Sequence, residues 1–99
     1  MAHFELAAGQ TSQAVRHRHV EELWFVMSGD GEMWLGGDAP VVVALEAGVS
    51  LRIPPGRPFQ FRSAASGPLA AVAVTMPPWP GPDEAVTVAG AWPPTEPAD

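Results

Sequence analysis

Prolines and glycines divide this chain into segments that are too short for helices of average length. The 99 residues include 12 prolines and 10 glycines, and both types are spread along the sequence. Proline breaks helices and cannot donate a hydrogen bond in a sheet, and glycine marks turns. The segments between them are rich in valine, phenylalanine and tryptophan, which favour strands. This spacing predicts a domain of short strands joined by tight turns.

Several of these segments have the sequence pattern of a β-strand. Residues 50–53 alternate polar and apolar side chains, as a half-buried strand does, and residues 59–62 place both phenylalanine rings on one face. Strands at such close spacing are typical of an antiparallel sandwich or barrel. The predicted strands are residues 23–27, 32–35, 41–45, 50–53, 59–62 and 69–76, with a short edge strand at 85–89.

Residues 10–28 contain no proline or glycine and hold several good helix formers, so a helix is the alternative there. In a helix, however, His17 and His19 would point about 200° apart. The five large apolar residues that begin at Leu23 would also form no amphipathic stripe. The pattern therefore favours a strand over residues 15–27.

Composition excludes several classes of function. The net charge is −6 and all five basic residues are arginines, so we expect no nucleic-acid partner and no anionic membrane partner. The absence of cysteine excludes disulfides, thiolate nucleophiles and cysteine-ligated zinc. No stretch resembles a signal peptide, and the longest apolar run is too short to cross a bilayer. We expect one cytoplasmic domain over residues 1–99.

The C-terminal segment, residues 77–99, differs from the rest of the chain. It begins with the letters PPWPGP over residues 77–82, which cannot pair in the centre of a sheet and should run extended. We predict a C-terminal strap that lays Trp79 and Trp92 over a mouth or face of the barrel, because a small domain needs the added burial. The alternative is a segment that binds a partner.

His17 and His19 are the residues that point most directly to chemistry. Residues two apart on a strand share a face, so both imidazoles would point the same way. After a short bend, Glu22 would complete a set of two histidines and one carboxylate. Such a set suits Fe(II), and also Mn, Ni, Co or Zn. We therefore predict a divalent metal ion held by His17, His19 and Glu22, although a histidine pair alone is also common on exposed strands.

The stretch HRHVEELWFVMSG over residues 17–29 resembles the first signature motif of the cupin superfamily. In that motif His-X-His precedes a glutamate, and a glycine follows. Gly48, Pro54 and Gly56 are similar to the second motif, in register. The resemblance covers residues 9–76. It implies an all-β fold, a small cupin-like double-stranded β-helix or jelly-roll barrel of two antiparallel sheets with the Pro-rich strap added, and it implies a homodimer.

Two departures from the cupin pattern leave alternatives open. One residue fewer than usual separates His19 from Glu22, so Glu21 is the alternative carboxylate if the strand continues unbent. Phe59 stands where the family has a histidine as fourth metal ligand, and phenylalanine cannot coordinate. Either three ligands hold the metal beside an aromatic wall, or the metal is lost and Phe59 belongs to the core.

The resemblance implies a metal-dependent enzyme that acts on a small organic molecule. The reaction type stays open between oxygenase, isomerase, decarboxylase and cyclase, because the fold does not distinguish among these. Trp24, Phe59 and Phe61 would shape the substrate pocket. The alternative is a non-catalytic, metal-free domain that binds or senses a small ligand. A third possibility is a structural dimerisation module.

Overall fold

The computed structural model describes residues 2–95, which form nine β-strands and no helix that could span a bilayer. Met1 and residues 96–99, the end of the predicted strap, lie outside the described part of the chain. The all-β prediction is confirmed. The strands are β1 (Ala2–Leu6), β2 (Val15–His17), β3 (Glu21–Ser28), β4 (Asp30–Leu35), β5 (Val41–Glu46), β6 (Ser50–Ile53), β7 (Phe59–Ser63), β8 (Leu69–Met76) and β9 (Ala85–Thr87).

The nine strands form two antiparallel sheets. Sheet I has the order β1-β8-β3-β6, and sheet II has the order β5-β4-β7-β2-β9. The inner faces of the two sheets enclose the core, as the predicted double-stranded β-helix requires. The core brings together Trp24, Val26, Met33, Leu45, Ile53, Phe59, Leu69, Ala71 and Ala73.

Strand β3 shows why these residues form a sheet with one buried face. Glu22, Trp24 and Val26 point inward and are buried, whereas Leu23 and Phe25 point outward and are exposed. This alternation has the period of two that a strand imposes. The removal of the inward apolar side chains from water is the main stabilising contribution to the fold.

The chain leaves sheet I for sheet II at the turn after β3, and this turn requires glycine. Gly29 has a φ angle of 85°, a conformation that residues with a side chain rarely adopt. A Cβ atom at this position would also overlap the carbonyl oxygen of Pro68. The close approach of these two loops therefore leaves no space for a side chain.

The predicted strand over residues 15–27 is interrupted. Strand β2 ends at His17 in sheet II and β3 begins at Glu21 in sheet I, with a bend between them. In this bend the backbone N–H groups of His19 and Val20 donate to the Glu84 carboxylate rather than to a neighbouring strand. The rule that residues two apart share a face therefore does not apply from His17 to His19.

The C-terminal strap crosses the barrel after β8. Strand β9 pairs with β2 and extends the edge of sheet II. Further on, the strap covers the outer face of β7. There the buried Gln60 side chain donates to the carbonyl groups of Ser12 and Trp92 and accepts the N–H of Trp92. The guanidinium of Arg62 lies 3.9 Å from the centre of the Trp92 ring.

The outer face of sheet I is apolar along its two central strands. We call this surface the apolar stripe, and six side chains of β3 and β8 form it: Leu23, Phe25, Met27, Val72, Val74 and Met76. The outer strands of the sheet border the stripe with polar and charged side chains, namely His3, Glu5, Ser50 and Arg52. Within residues 2–95, five of these six side chains are exposed, namely Leu23, Phe25, Met27, Val74 and Met76.

Candidate functional site

A cavity of about 580 Å³ opens between the two sheets at the end where β2 and β3 meet. Its walls are mostly aromatic and aliphatic, with a few polar groups, which is the usual composition of a small-molecule site. The lining residues are Ala2, Phe4, Val15, His17, Glu22, Trp24, Phe59, Phe61, Ala73, Thr75, Pro78 and Trp79.

The three residues predicted to shape a substrate pocket, Trp24, Phe59 and Phe61, all line this cavity. The ring centres of Trp24 and Phe61 lie 4.8 Å apart in an edge-to-face arrangement. Phe4 stacks on Trp24 at 5.6 Å with the two rings nearly parallel. These contacts fix the rings of one wall. The role of the three residues toward a ligand stays a prediction.

Phe4 and Trp79 complete the aromatic lining. No strand was predicted around Phe4, although residues 2–6 alternate apolar and polar side chains, which is the pattern of a strand. Trp79 lies on the C-terminal strap, and its ring centre is 5.0 Å from that of His17. Phe59 contacts the same imidazole at 5.2 Å. The His17 ring therefore contacts two aromatic rings, both nearly perpendicular to it.

His17 and Glu22 form the polar end of the cavity. Their side chains are only 7% and 5% exposed, and His17 Nδ1 lies 3.6 Å from Glu22 Oε2. In the described part of the chain, four buried side-chain polar atoms lack a hydrogen-bond partner. Three of them line this cavity, His17 Nδ1, Glu22 Oε2 and Trp24 Nε1. Buried polar groups without partners are costly, so such a cluster indicates a functional site.

Burial shifts the two ionisable groups in opposite directions. It raises the pKa of the Glu22 carboxyl to about 7, and the indole N–H of Trp24, which stays outside hydrogen-bond distance, lowers this pKa only in part. It lowers the pKa of the His17 imidazole, against the opposing charge of Glu84. Both shifts disfavour the charged form. Near neutral pH the site therefore holds an uncharged imidazole beside a carboxyl that is close to half protonated.

His19 lies outside the cavity. Its side chain is 74% exposed, and Nδ1 is 2.9 Å from Glu84 Oε1. Glu84 also accepts the backbone N–H groups of His19 and Val20. Burial alone would raise the pKa of Glu84, but these hydrogen bonds outweigh it and lower the pKa to about 2. The sequence did not predict the contact between Glu84 and His19, because the two residues lie 65 positions apart along the chain.

Of the three predicted metal ligands, the structure brings together His17 and Glu22 but not His19. Glu21, the alternative carboxylate, points outward and pairs with Arg52. No group of three or more His, Cys, Asp or Glu side chains within residues 2–95 is placed to share an ion. Protein sites for divalent transition metals ordinarily use three or four protein ligands. In this arrangement the residues do not fit a resident metal ion.

Comparison with known proteins defines the class. A family model described as "Cupin domain" matches residues 2–75, well over half of the chain. The chain therefore belongs to the cupin domain family, and the resemblance noted in the sequence is confirmed. No curated protein sequence matches it.

Solved structures show the same fold. An uncharacterized conserved protein with a double-stranded β-helix domain from Klebsiella pneumoniae is 24% identical with a TM-score of 0.76, covering 89% of this chain and 72% of its own. A cupin protein from Bacteroides fragilis is 26% identical with a TM-score of 0.66, over 87% of this chain and 75% of its own. The capsular polysaccharide assembling protein CapF from Staphylococcus aureus is 14% identical with a TM-score of 0.77, over 87% of this chain and 27% of its own.

Proposed function

We propose that this cupin binds a small, largely apolar organic molecule in the cavity between its sheets, with a polar group of that molecule at His17 and Glu22. The observation that carries the proposal is the set of three buried polar atoms without partners at the end of an aromatic cavity. A ligand that pairs with them restores hydrogen bonds that burial has removed, each worth about 1 kcal/mol. Binding is the function proposed, and no reaction is assigned.

Titration of the full chain with neutral ring alcohols tests this proposal, with tryptophol (indole-3-ethanol) as the first probe and isothermal calorimetry as the measurement. We expect saturable binding at one site per chain. Ala73→Leu, which adds a side chain to the cavity wall, is expected to abolish binding. Ala70→Leu is the matched control, because Ala70 lies on the same strand with its side chain on the opposite face.

Two results would contradict the proposal. One is that neither tryptophol nor any other neutral ring alcohol that is titrated binds to the folded protein. The other is that Ala73→Leu, shown to be folded by its near-UV circular dichroism, binds tryptophol as tightly as the unchanged chain, which would place the ligand outside the cavity.

A metal-dependent activity is the second candidate function, and the unpartnered His17 Nδ1 and Glu22 Oε2 favour it. It requires His19 to leave Glu84 and turn inward to supply a third ligand. Metal analysis after exposure to Fe, Mn, Ni, Co and Zn salts tests this candidate. One ion per chain that is lost in both His17→Ala and His19→Ala would support it. A protein that stays free of metal, or one that keeps its ion in His19→Ala, would exclude this ligand set.

A further inference from the structure

Within residues 2–95, no lysine or arginine side chain lines the cavity. The chain has no lysine, and none of its five arginines lies among the lining residues. Arg52 and Arg62 pair with carboxylates, whereas Arg18 and Arg57 donate to backbone carbonyl groups. Arg16 lies between Val15 and His17 on β2, and both of these neighbours face the cavity, so Arg16 faces away from it.

The electrostatic surroundings of the cavity are negative. In the described part of the chain, Glu22 and His17 are the ionisable groups that line it, and the Glu84 carboxylate acts on His17 from the strap. The whole chain carries a net charge of −6. An anionic ligand would lose its hydration on entering and would meet no positive partner.

A protonated amine, unlike an anion, would find partners in this cavity. Glu22 Oε2 and His17 Nδ1 lie 3.6 Å apart, and neither has a donor within hydrogen-bond distance. When the uncharged imidazole carries its proton on Nε2, Nδ1 is an acceptor, so the two atoms can receive two N–H groups of one ammonium. The rings of Phe59 and Trp79 pack around His17, and the faces of aromatic rings attract cations.

We infer that this cavity selects ligands in which a protonated amine is joined to an aromatic or other apolar body, and that it disfavours carboxylates of the same shape. The inference rests on the proposed function, because it names the ligand class for the same cavity. Charge-assisted hydrogen bonds are stronger than neutral ones, which gives the amine its advantage over a neutral alcohol.

Three indole compounds that differ in the polar group test the inference: tryptamine (ammonium), tryptophol (neutral) and indole-3-propionate (carboxylate). Their dissociation constants are measured by calorimetry at one pH above 7, where the amine is protonated and both the acid and the Glu22 carboxyl are mostly ionised. We expect tryptamine to bind about tenfold more tightly than tryptophol, since one charge-assisted hydrogen bond is worth that factor or more. Indole-3-propionate is expected to bind most weakly.

Glu22→Gln keeps the shape of the side chain and removes its charge. In this variant we expect tryptamine and tryptophol to bind within about twofold of each other, because the group that distinguishes them is gone. Glu21→Gln is the matched control, since it makes the same change one residue earlier on the outer face. It is expected to keep the preference for tryptamine.

The outcomes separate this inference from the proposed function. If tryptophol binds and tryptamine binds no more tightly, the inference is wrong and the proposed function stands. A preference for tryptamine that survives Glu22→Gln also overturns the inference, because the cation then binds elsewhere. If no compound binds, both fail. Should Glu22→Gln not fold, the ratios measured on the unchanged chain decide by themselves.

Discussion

At the residue scale, two buried carboxyls near the histidines differ in what surrounds them. Glu84 receives hydrogen bonds from the backbone of His19 and Val20 and from the His19 imidazole, and its pKa falls to about 2. Glu22 Oε2 has no partner, and burial raises the pKa of Glu22 to about 7. Glu84 therefore stabilises the bend between β2 and β3, whereas Glu22 remains available to a ligand.

The Glu84 hydrogen bonds predict acid sensitivity. The pKa of Glu84 is about 2 in the folded chain and 4.5 as its ordinary value, so the carboxylate stabilises the fold above pH 4.5. This stabilisation is lost as the pH falls from 4.5 through 2. Denaturant unfolding at a series of pH values should show the free energy of unfolding falling in this window. Glu84→Gln should flatten the fall, while the control Glu46→Gln, at an exposed carboxylate, should not.

A third donor at position 59 is expected to create a metal site. Phe59 lies against His17 in the same cavity as Glu22, so Phe59→His would place three ligand side chains together. We expect Zn²⁺ affinity to rise by about tenfold or more, as seen in a competition titration. Phe61→His is the control. The Phe61 ring packs on Trp24 and Phe4, whereas the Phe59 ring packs on His17. Equal zinc affinity in both variants would contradict the geometry described for His17 and Glu22.

Alternation along single strands predicted part of the site. It placed Trp24, Phe59 and Phe61 inward, because each lies in a regular strand where the period of two applies. It did not predict the separation of His17 from His19. That separation depends on a carboxylate 65 positions further along the chain, and no local pattern reports such a contact.

At the scale of elements, the C-terminal strap is attached to the barrel by polar contacts as well as by β9. Gln60 is fully buried on the outer side of β7, where alternation alone would expose it to solvent. Its amide makes three hydrogen bonds, one to the backbone of Ser12 and two to the backbone of Trp92. This amide therefore joins the strap to the sheet beneath it.

Gln60→Leu should loosen the strap. The substitution leaves backbone groups of Ser12 and Trp92 without partners, which should lower the free energy of unfolding by about 3 kcal/mol. Denaturant unfolding gives the energy, and limited proteolysis reports whether the strap is cleaved first. Gln10→Leu, at an exposed glutamine, is expected to change neither. A Gln60→Leu protein as stable as the unchanged chain would show that the strap is held by other contacts.

Most strands were predictable, since turn residues bound them and alternation or apolar runs mark them. Strand β1 was not predicted, although residues 2–6 alternate, and neither was the break in the strand over residues 15–27. The alternation over residues 2–6 is a local signal that indicates β1. The break has no local signal, because residues 18–20 contain no proline or glycine.

At the scale of the whole molecule, the apolar stripe is a surface that the described residues of one chain leave exposed. Its members Leu23, Phe25, Met27, Val74 and Met76 are 38% to 52% exposed. Glu21 and Arg52 beside the stripe pair with each other, which leaves Glu5 as the other carboxylate at its border. A contiguous apolar surface of this kind is typical of an interface, and one with few charges at its border can face its own copy with little repulsion.

We predict that a second copy of this chain covers the apolar stripe. Sedimentation velocity should show a dimer that Phe25→Glu converts to a monomer, because the interface would then bury two unpaired carboxylates. Val42→Glu is the matched control, since Val42 has similar exposure but lies on sheet II. A monomeric unchanged chain, or a dimer insensitive to Phe25→Glu, would contradict this arrangement.

The family match stops at residue 75, two positions before the C-terminal strap begins. Two residues that shape the site, Trp79 beside His17 and Glu84 at the bend, therefore come from outside the matched region. Grafting a different strap onto residues 2–75 would consequently change the entrance to the cavity while the barrel walls kept their residues. Diversity in ligand choice among chains of this design can thus arise from exchange of one terminal segment, without any substitution in strands β1 to β8.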